Sequence, residues 1–168
     1  AGRAHDAAPL FFKAAQTQLA AGDATGAMLR LTSALDASPT GESARDVLEA
    51  MAKLELERGG AAEASRLFAR RAQVAKDPRE SARFTFKAAS LVRDTPREGP
   101  LLAQSLEQDP SFVPARLRRA ELAETLNPRE AMADLEVVLA SDENDADVAA
   151  LKLDRVTLTR QAAFAALK

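Results

Sequence analysis

The sequence contains an internal repeat with a period of about 34 residues. Small and large apolar residues recur at fixed spacings in ladders that start at Ala27, Ala64, Glu98 and Ala131. Successive starts are therefore 37, 34 and 33 residues apart. A second segment has the same period, because Phe-Lys-Ala-Ala at 12–15 recurs 74 residues later at 86–89. A unit this short cannot bury its own apolar faces, so the repeat predicts units stacked on one another.

The composition indicates that each unit is built from helices. Ala supplies 38 of the 168 residues and Leu 22, whereas Ile is absent and Val contributes only 8, so strand formers are scarce. In residues 9–21 the apolar side chains recur at helical spacing, and Asp23 can cap a helix that follows. We predict helices at 8–21, 24–37, 43–58, 61–75, 78–93, 96–108, 114–126, 128–140, 146–157 and 159–168.

Three similar segments predict where helices begin. Asp77, Thr95 and Asn127 are each followed by Pro-Arg-Glu. This order places an N-cap residue before a proline at the first helical position and a glutamate at the third. In the third unit a second prediction competes with this one, because a proline inside a helix costs a hydrogen bond. The helix would then begin at Pro100, and residues 94–99 would form an irregular loop.

The repeat resembles the tetratricopeptide repeat family. The resemblance is carried in the first unit by Gly22-Asp23, Ala27, Ala34-Leu35 and Pro39. It implies an all-α fold, a right-handed superhelical solenoid of antiparallel helix pairs. The implied repeat region is 8–145, with units at 8–41, 43–77, 78–111 and 114–143. Residues 1–7 are expected to be a flexible stretch, and 146–168 a C-terminal capping helix pair or a truncated fifth repeat.

Two residues depart from the family pattern. Glu98 stands where the family has Ala, and Arg71 stands where a small residue is expected. The family's Trp and Tyr positions are also filled by other residues, since the chain contains neither. The third unit is the one that contains Pro100, and a loop there would interrupt the regular curvature.

In this family the first helix of each unit lines a concave groove that takes peptide segments. Carried over by position, the predicted groove residues are Phe12, Gln16, Leu19, Glu49, Lys53, Leu56, Phe86, Ser90, Arg93, Leu117, Glu121 and Glu124. Phe12, Phe86 and Leu117 hold the same place in three units, which implies an apolar strip edged by charge. Such a strip suits an amphipathic or aromatic-containing peptide, and packing against a neighbouring helix or further chain explains it equally well. Phe12 and Glu49 stand where family members that hold a C-terminal carboxylate need basic residues, so that mode is not expected.

Charge is unevenly distributed along the chain, whose total is -2. The net charge is -2 over residues 1–60, +4 over 61–100 and -4 over 101–168. The basic belt in the middle consists of Arg66, Arg70, Arg71, Arg79, Arg83, Arg93 and Arg97. We interpret the belt as a solvated helix face or as a docking surface for an acidic partner segment. Nucleic acid is not the expected partner, because interleaved aromatic residues are missing and the chain is net acidic.

The sequence offers little for catalysis or metal binding. It has no cysteine and one histidine, His5, which we interpret as a terminal residue without a chemical role. The acidic run 142–147 lacks the glycine and the glutamate of a calcium loop, since Asp147 and Leu153 occupy their places. We therefore predict no metal, no cofactor and no enzymatic activity. Membrane insertion is not expected either, because no apolar run reaches the ~18–20 residues of a membrane helix.

These patterns predict a non-catalytic scaffold that binds a partner protein or peptide in the groove. One alternative is a regulatory or substrate-positioning arm of a larger multidomain enzyme or signalling protein. Another is a self-assembling structural module that stacks through a C-terminal helix with Phe164 and Leu167, and the oligomeric state stays open. The sequence begins without Met, so we expect a piece of a longer protein, with a cytoplasmic location favoured. The excess of 17 Arg over 6 Lys, with abundant Ala, suggests a bacterial source.

Overall fold

The computed structural model describes residues 7–165, so His5 and Leu167 lie outside the described residues. Its helices are α1 (Ala8–Ala20), α2 (Ala24–Ala37), α3 (Gly41–Glu57), α4 (Ala61–Gln73), α5 (Pro78–Ser90), α6 (Glu98–Gln108), α7 (Val113–Ala123), α8 (Pro128–Ala140), α9 (Ala146–Ala149) and α10 (Arg155–Ala165). No strand occurs between residues 7 and 165, and the predicted all-α class is confirmed. Within the same residues, none of the helices has the length and apolarity needed to cross a lipid bilayer.

The helices stack in chain order. α1 packs on α2, α3 on α4, α5 on α6 and α7 on α8, so the chain is a series of helix pairs. Successive pairs are joined where α2 packs on α3, α4 on α5 and α6 on α7. α10 continues the stack by packing on α8. This arrangement is a helical solenoid, as the repeat predicted.

Alanine fills much of the buried interior. Fully buried alanines occur on both helices of the first two pairs and on α5. They are Ala15, Ala27, Ala34, Ala52, Ala64, Ala82 and Ala88. A small side chain allows two helix backbones to approach closely, with larger side chains filling the space beside it. The high alanine content therefore follows from the close stacking of helices.

The apolar core is divided into three clusters along the solenoid. The first core cluster joins α1, α2, α3 and α4 with Ala88 of α5, and it contains Leu48 and Phe68. The second joins α5 and α6 to the start of α7, around Leu102 and Phe112. The third joins α7, α8, α9 and α10, with Val138 fully buried within it. Each cluster therefore depends on helices that are close together in the chain.

Polar side chains begin several of the helices as predicted. Asp23 accepts a backbone N–H of α2 at 2.8 Å, and Asp77 accepts the N–H of Glu80 at 2.7 Å. Asn127 precedes α8 as predicted, but it makes no side-chain hydrogen bond to the backbone. Its amide instead donates to the Glu130 carboxylate at 3.0 Å, so only the side chains of the predicted motif meet.

α6 begins at Glu98, which corrects both predictions for the start of this helix. Thr95 is not the N-cap, because Arg97 holds that position and the Thr95 hydroxyl donates to the Val92 carbonyl at 2.6 Å. Pro100 is the third residue of the helix, where a backbone N–H has no acceptor within the helix in any case. The proline therefore costs no intrahelical hydrogen bond, and the irregular segment ends before Glu98.

The prediction of a helix at 146–157 is wrong, because α9 ends at Ala149. Lys152 then adopts a φ of 49°, in the left-handed region that interrupts a right-handed helix. Asp154 accepts two backbone N–H groups of the first turn of α10, at 3.1 and 3.2 Å. These bonds start a new helix at Arg155 rather than at the predicted residue 159.

Candidate functional site

The predicted groove residues lie on α1, α3, α5 and α7, the first helix of each pair, or directly after them. Seven of them are exposed: Gln16, Leu19, Lys53, Leu56, Arg93, Glu121 and Glu124. Five are half-buried: Phe12, Glu49, Phe86, Ser90 and Leu117. Arg93 follows α5 rather than lying within it, because this helix ends at Ser90. The exposed members thus combine two leucines with polar and charged side chains.

The two phenylalanines of the predicted apolar strip contribute mainly to the core. Phe86 packs edge-on against Phe112 in the second core cluster, with the ring centroids 5.8 Å apart. Phe12 packs against the first core cluster and borders a cavity of about 130 Å³ between α1 and α3. Among the predicted groove residues of the first two pairs, the exposed apolar surface therefore comes from Leu19 and Leu56, which are 38% and 37% exposed.

Ion pairs divide the basic belt into separate groups. Arg71 is buried, so it is not part of a solvent-facing belt. Arg79 and Arg83 are paired with aspartates, and Arg66 pairs with Glu63 at 2.8 Å. The belt residues that make no ion pair within the described part of the chain are Arg70, Arg93 and Arg97. The seven arginines therefore do not form one continuous basic face.

Two of the belt arginines, Arg79 and Arg83 of α5, form ion pairs with Asp145 and Asp147 at α9. We refer to these four residues as the arginine–aspartate cluster. Arg79 and Arg83 each lie 3.0 Å from the Asp147 carboxylate, and Arg79 also pairs with Asp145. The hydrogen bond from Arg79 holds the pKa of Asp145 below its usual range. Burial alone would raise the pKa of Asp147, but hydrogen bonds from Arg83 and Arg79 outweigh it and lower this pKa. The cluster therefore ties the third helix pair to the segment that follows the fourth.

The same cluster occupies two carboxylates of the acidic run 142–147. Asp145 also caps α9 as predicted, by accepting the N–H groups of Asp147 and Val148. Among the described residues, no group of three or more His, Cys, Asp or Glu side chains is arranged to hold a metal ion. The acidic run is thus a helix start engaged in ion pairs.

Replacing Asp147 by asparagine is expected to loosen the segment from α9 to α10 while α5 stays folded. Exposed ion pairs contribute up to ~1 kcal/mol, so backbone amide exchange in this segment should accelerate by up to about fivefold. Hydrogen exchange measured by mass spectrometry would detect this change. Asp142→Asn is the matched control, because Asp142 belongs to the same run and its side chain hydrogen-bonds, within the described residues, only to Asn144. Equal acceleration by both substitutions would contradict a role for the cluster.

The two departures from the repeat pattern are buried ionic contacts. Arg71 lies 2.7 Å from the Glu80 carboxylate, and its guanidinium carbon is 4.1 Å from the centre of the Phe84 ring. Glu98 accepts hydrogen bonds from Arg118 at 2.6 Å and from one backbone N–H at 2.7 Å. Buried charges are tolerated when they are paired and hydrogen-bonded, as Glu98 is. Arg71 meets this requirement only in part, because its buried Nε and Nη1 make no hydrogen bond within the described residues.

Asp134 of α8 is a third buried charge, and the sequence analysis did not identify it. Its side chain is fully buried and accepts hydrogen bonds from Arg116 and Arg119 of α7, each at 2.6 Å. Asp134 lies three residues after Ala131, on the buried side of the helix, which was the signal available in the sequence. The fourth helix pair is therefore held together by charge as well as by apolar contacts.

A cavity of about 180 Å³ lies between α7, α8 and α10. Its apolar lining consists of Leu117, Ala120, Ala131, Leu135 and Leu158. Three exposed polar residues, Glu121, Glu124 and Gln161, form its rim. We refer to it as the acidic-rimmed cavity. It brings together three predicted groove residues at α7 with Leu158 and Gln161 of α10, which were not predicted as site residues.

Helix pairs stacked in series, with exposed residues on the first helix of each pair, define an all-α helical solenoid. No protein-family model matches the chain, and no curated protein matches it in sequence. In structure the chain is similar to the crystal structure of MamA protein, with a TM-score of 0.57. This likeness covers 95% of the chain and 92% of MamA at 12% sequence identity, so it shows a shared fold.

Proposed function

We propose that the chain is a non-catalytic scaffold that binds a peptide segment of a partner protein along the first helices of its pairs. The observation that carries this proposal is the set of exposed residues at corresponding places on α1, α3 and α7: Gln16, Leu19, Lys53, Leu56, Glu121 and Glu124. Exposed leucines supply apolar contact area, and the flanking charges supply selectivity. The helical-solenoid fold, together with the resemblance of the repeat to the tetratricopeptide repeat family, supports protein partners in general.

The chemistry of the side chains supports a function without catalysis. The chain has no cysteine, and its single histidine lies outside the described residues. The buried carboxylates Glu98 and Asp134 are each held by arginines at 2.6 Å. Their role is therefore to stabilise the helix stack.

A substitution of Leu56 tests the proposed binding surface. Peptides would first be selected against the protein from a phage-displayed library, and their affinities measured by fluorescence anisotropy. Leu56→Glu is expected to lower the affinity for the selected peptides by at least about tenfold, because it places a charge in the apolar contact. Leu29→Glu is the matched control, since Leu29 is an exposed leucine on α2, a second helix.

Both variants should keep the helical circular dichroism and the melting temperature of the unmodified protein, because both leucines are exposed. Equal weakening by the two substitutions, or no effect of Leu56→Glu, would overturn the assignment of the binding surface to the first helices. Failure to select any peptide would overturn the scaffold proposal itself.

Self-assembly is a second candidate function, favoured by exposed apolar residues on the first and last helices of the stack. Leu10 of α1 is 70% exposed, and Val156 of α10 is 62% exposed. Covering such exposed leucine and valine side chains with a second molecule lowers the free energy, because it removes apolar surface from water. Sedimentation velocity over a range of protein concentrations separates the two candidates, since a scaffold that acts alone stays monomeric.

A further inference from the structure

The acidic-rimmed cavity is suited to a single large apolar side chain. Its lining of leucine and alanine offers no hydrogen-bonding side chain below the rim. Its volume of about 180 Å³ exceeds the ~150 Å³ of an apolar cavity that holds benzene. A phenylalanine ring or a leucine side chain therefore fits within it. The rim residues are exposed, so the cavity can be reached from solvent.

The rim carries an excess of negative charge. The charged groups that line the cavity are the carboxylates of Glu121 and Glu124. Arg118 is shared among three carboxylates, at 2.6 Å from Glu98, 2.9 Å from Glu121 and 3.2 Å from Asp94. Glu124 makes no ion pair within residues 7–165 and is exposed beside the cavity. A cation next to the cavity would therefore be attracted, and an anion repelled.

We propose that the acidic-rimmed cavity binds a phenylalanine or leucine side chain of a partner peptide in which this residue is flanked by lysine or arginine. The apolar side chain fills the cavity, and the basic neighbour pairs with Glu124 and Glu121. This inference rests on the proposed scaffold function and adds the chemical class of the partner. It assigns the main anchor of the peptide to the C-terminal end of the solenoid rather than to Phe12 or Phe86.

The test uses three fluorescent peptides that share a flexible Gly-Ser background. The first has a central Lys-Phe-Lys, the second has Lys-Ala-Lys, and the third has Glu-Phe-Glu. The affinity of the first peptide is expected to be at least about tenfold higher than that of either control, because each control removes one of the two contacts. Its affinity should fall as salt is added, since the rim charges are exposed and screened.

Protein variants locate the contact. Glu124→Lys is expected to weaken the Lys-Phe-Lys peptide by about tenfold, because it replaces attraction at the rim with repulsion. The matched control is Glu136→Lys, since Glu136 is an exposed glutamate of α8 that does not line the cavity. Leu158→Ala should also weaken this peptide by removing a wall of the cavity. Circular dichroism of each variant would confirm that it is folded.

Each outcome separates this inference from the scaffold proposal. If library peptides depend on Leu56 while Lys-Phe-Lys does not bind, the inference is wrong and the scaffold proposal stands. If Lys-Phe-Lys binds the Glu124→Lys and Glu136→Lys variants equally well, the cavity is not its site and the inference is overturned. A concentration-dependent dimer that Glu124→Lys disrupts, without peptide binding, would assign the cavity to a second copy and would also overturn the inference.

Discussion

Replacing Arg118 by methionine is expected to lower the free energy of unfolding by about 3 to 5 kcal/mol. The substitution keeps most of the side-chain volume but leaves the Glu98 carboxylate, which is 2% exposed, without its charged partner. Only one backbone N–H would then remain bound to it. Removing one partner of a buried ion pair costs far more stability than replacing both partners by apolar residues, because it leaves a buried charge without a partner. Urea-induced unfolding followed by circular dichroism would measure the loss.

Substitution of the other member of the pair, Glu98, provides the control. Glu98→Ala restores the small residue found at this place in the other units, and Arg118 keeps Glu121 and Asp94 as partners near the surface. Its effect should therefore be clearly smaller than that of Arg118→Met. The double variant should be about as stable as Glu98→Ala alone, because no buried carboxylate is left to compensate. Losses that simply add in the double variant would contradict the buried pair.

The pH dependence of stability gives a second measurement of the same pair. The hydrogen bond from Arg118 holds the pKa of Glu98 below its usual range, against the opposing effect of burial. This stabilisation is fully present above the unfolded-state pKa of glutamate, about 4.3, and is lost as the pH falls through the lower pKa of the folded state. The difference in stability between the unmodified protein and Arg118→Met should therefore be large near neutral pH and should narrow in acid.

Replacing Phe68 by alanine is expected to cost about 3 to 5 kcal/mol of unfolding free energy. Phe68 is fully buried in the first core cluster. Its ring stacks on Phe84 with the centroids 6.1 Å apart, and the Lys87 ammonium lies 4.3 Å from its centre. Alanine would leave a cavity and remove both contacts. The melting temperature and the denaturant concentration at the midpoint of unfolding should therefore both fall strongly.

Two controls define what this effect means. Phe68→Leu keeps most of the volume and should cost about 1.5 kcal/mol or less, whereas Leu126→Ala removes a side chain that is 89% exposed and should change little. Hydrogen exchange in Phe68→Ala should accelerate most in α1 to α5, because these helices build the first core cluster, which is separate from the third. Uniform acceleration from α1 to α8 would contradict that separation.

The helix pairs could be predicted from the sequence because the contacts between them are local. Ala15, Ala27 and Ala64 recur at fixed spacings, and each is fully buried where neighbouring helices pack. Periodicity therefore carries the information that stacking needs. It failed at 146–157, where Leu151 and Leu153 continue an apolar pattern, but Lys152 turns the chain in the left-handed region.

Side-chain partners were beyond the reach of the sequence. Glu98 was recognisable as an exception to the repeat, but its partner lies 20 residues away on α7, next to two other arginines. Which arginine faces Glu98 and which faces Asp134 depends on how α7 is rotated against its neighbours. The acidic-rimmed cavity was missed for a related reason, because three helices must be positioned before an empty space between them exists.

The arginine–aspartate cluster also bears on the order in which a growing chain can assemble. Most interhelical contacts join helices that follow one another, so each pair can fold onto the previous one soon after it has been synthesised. Arg79 and Asp147, in contrast, are 68 residues apart in the chain. The arginines of the third pair are therefore neutralised only after the fourth pair and α9 have been synthesised. This contact can thus form only after the local contacts of the third pair are in place.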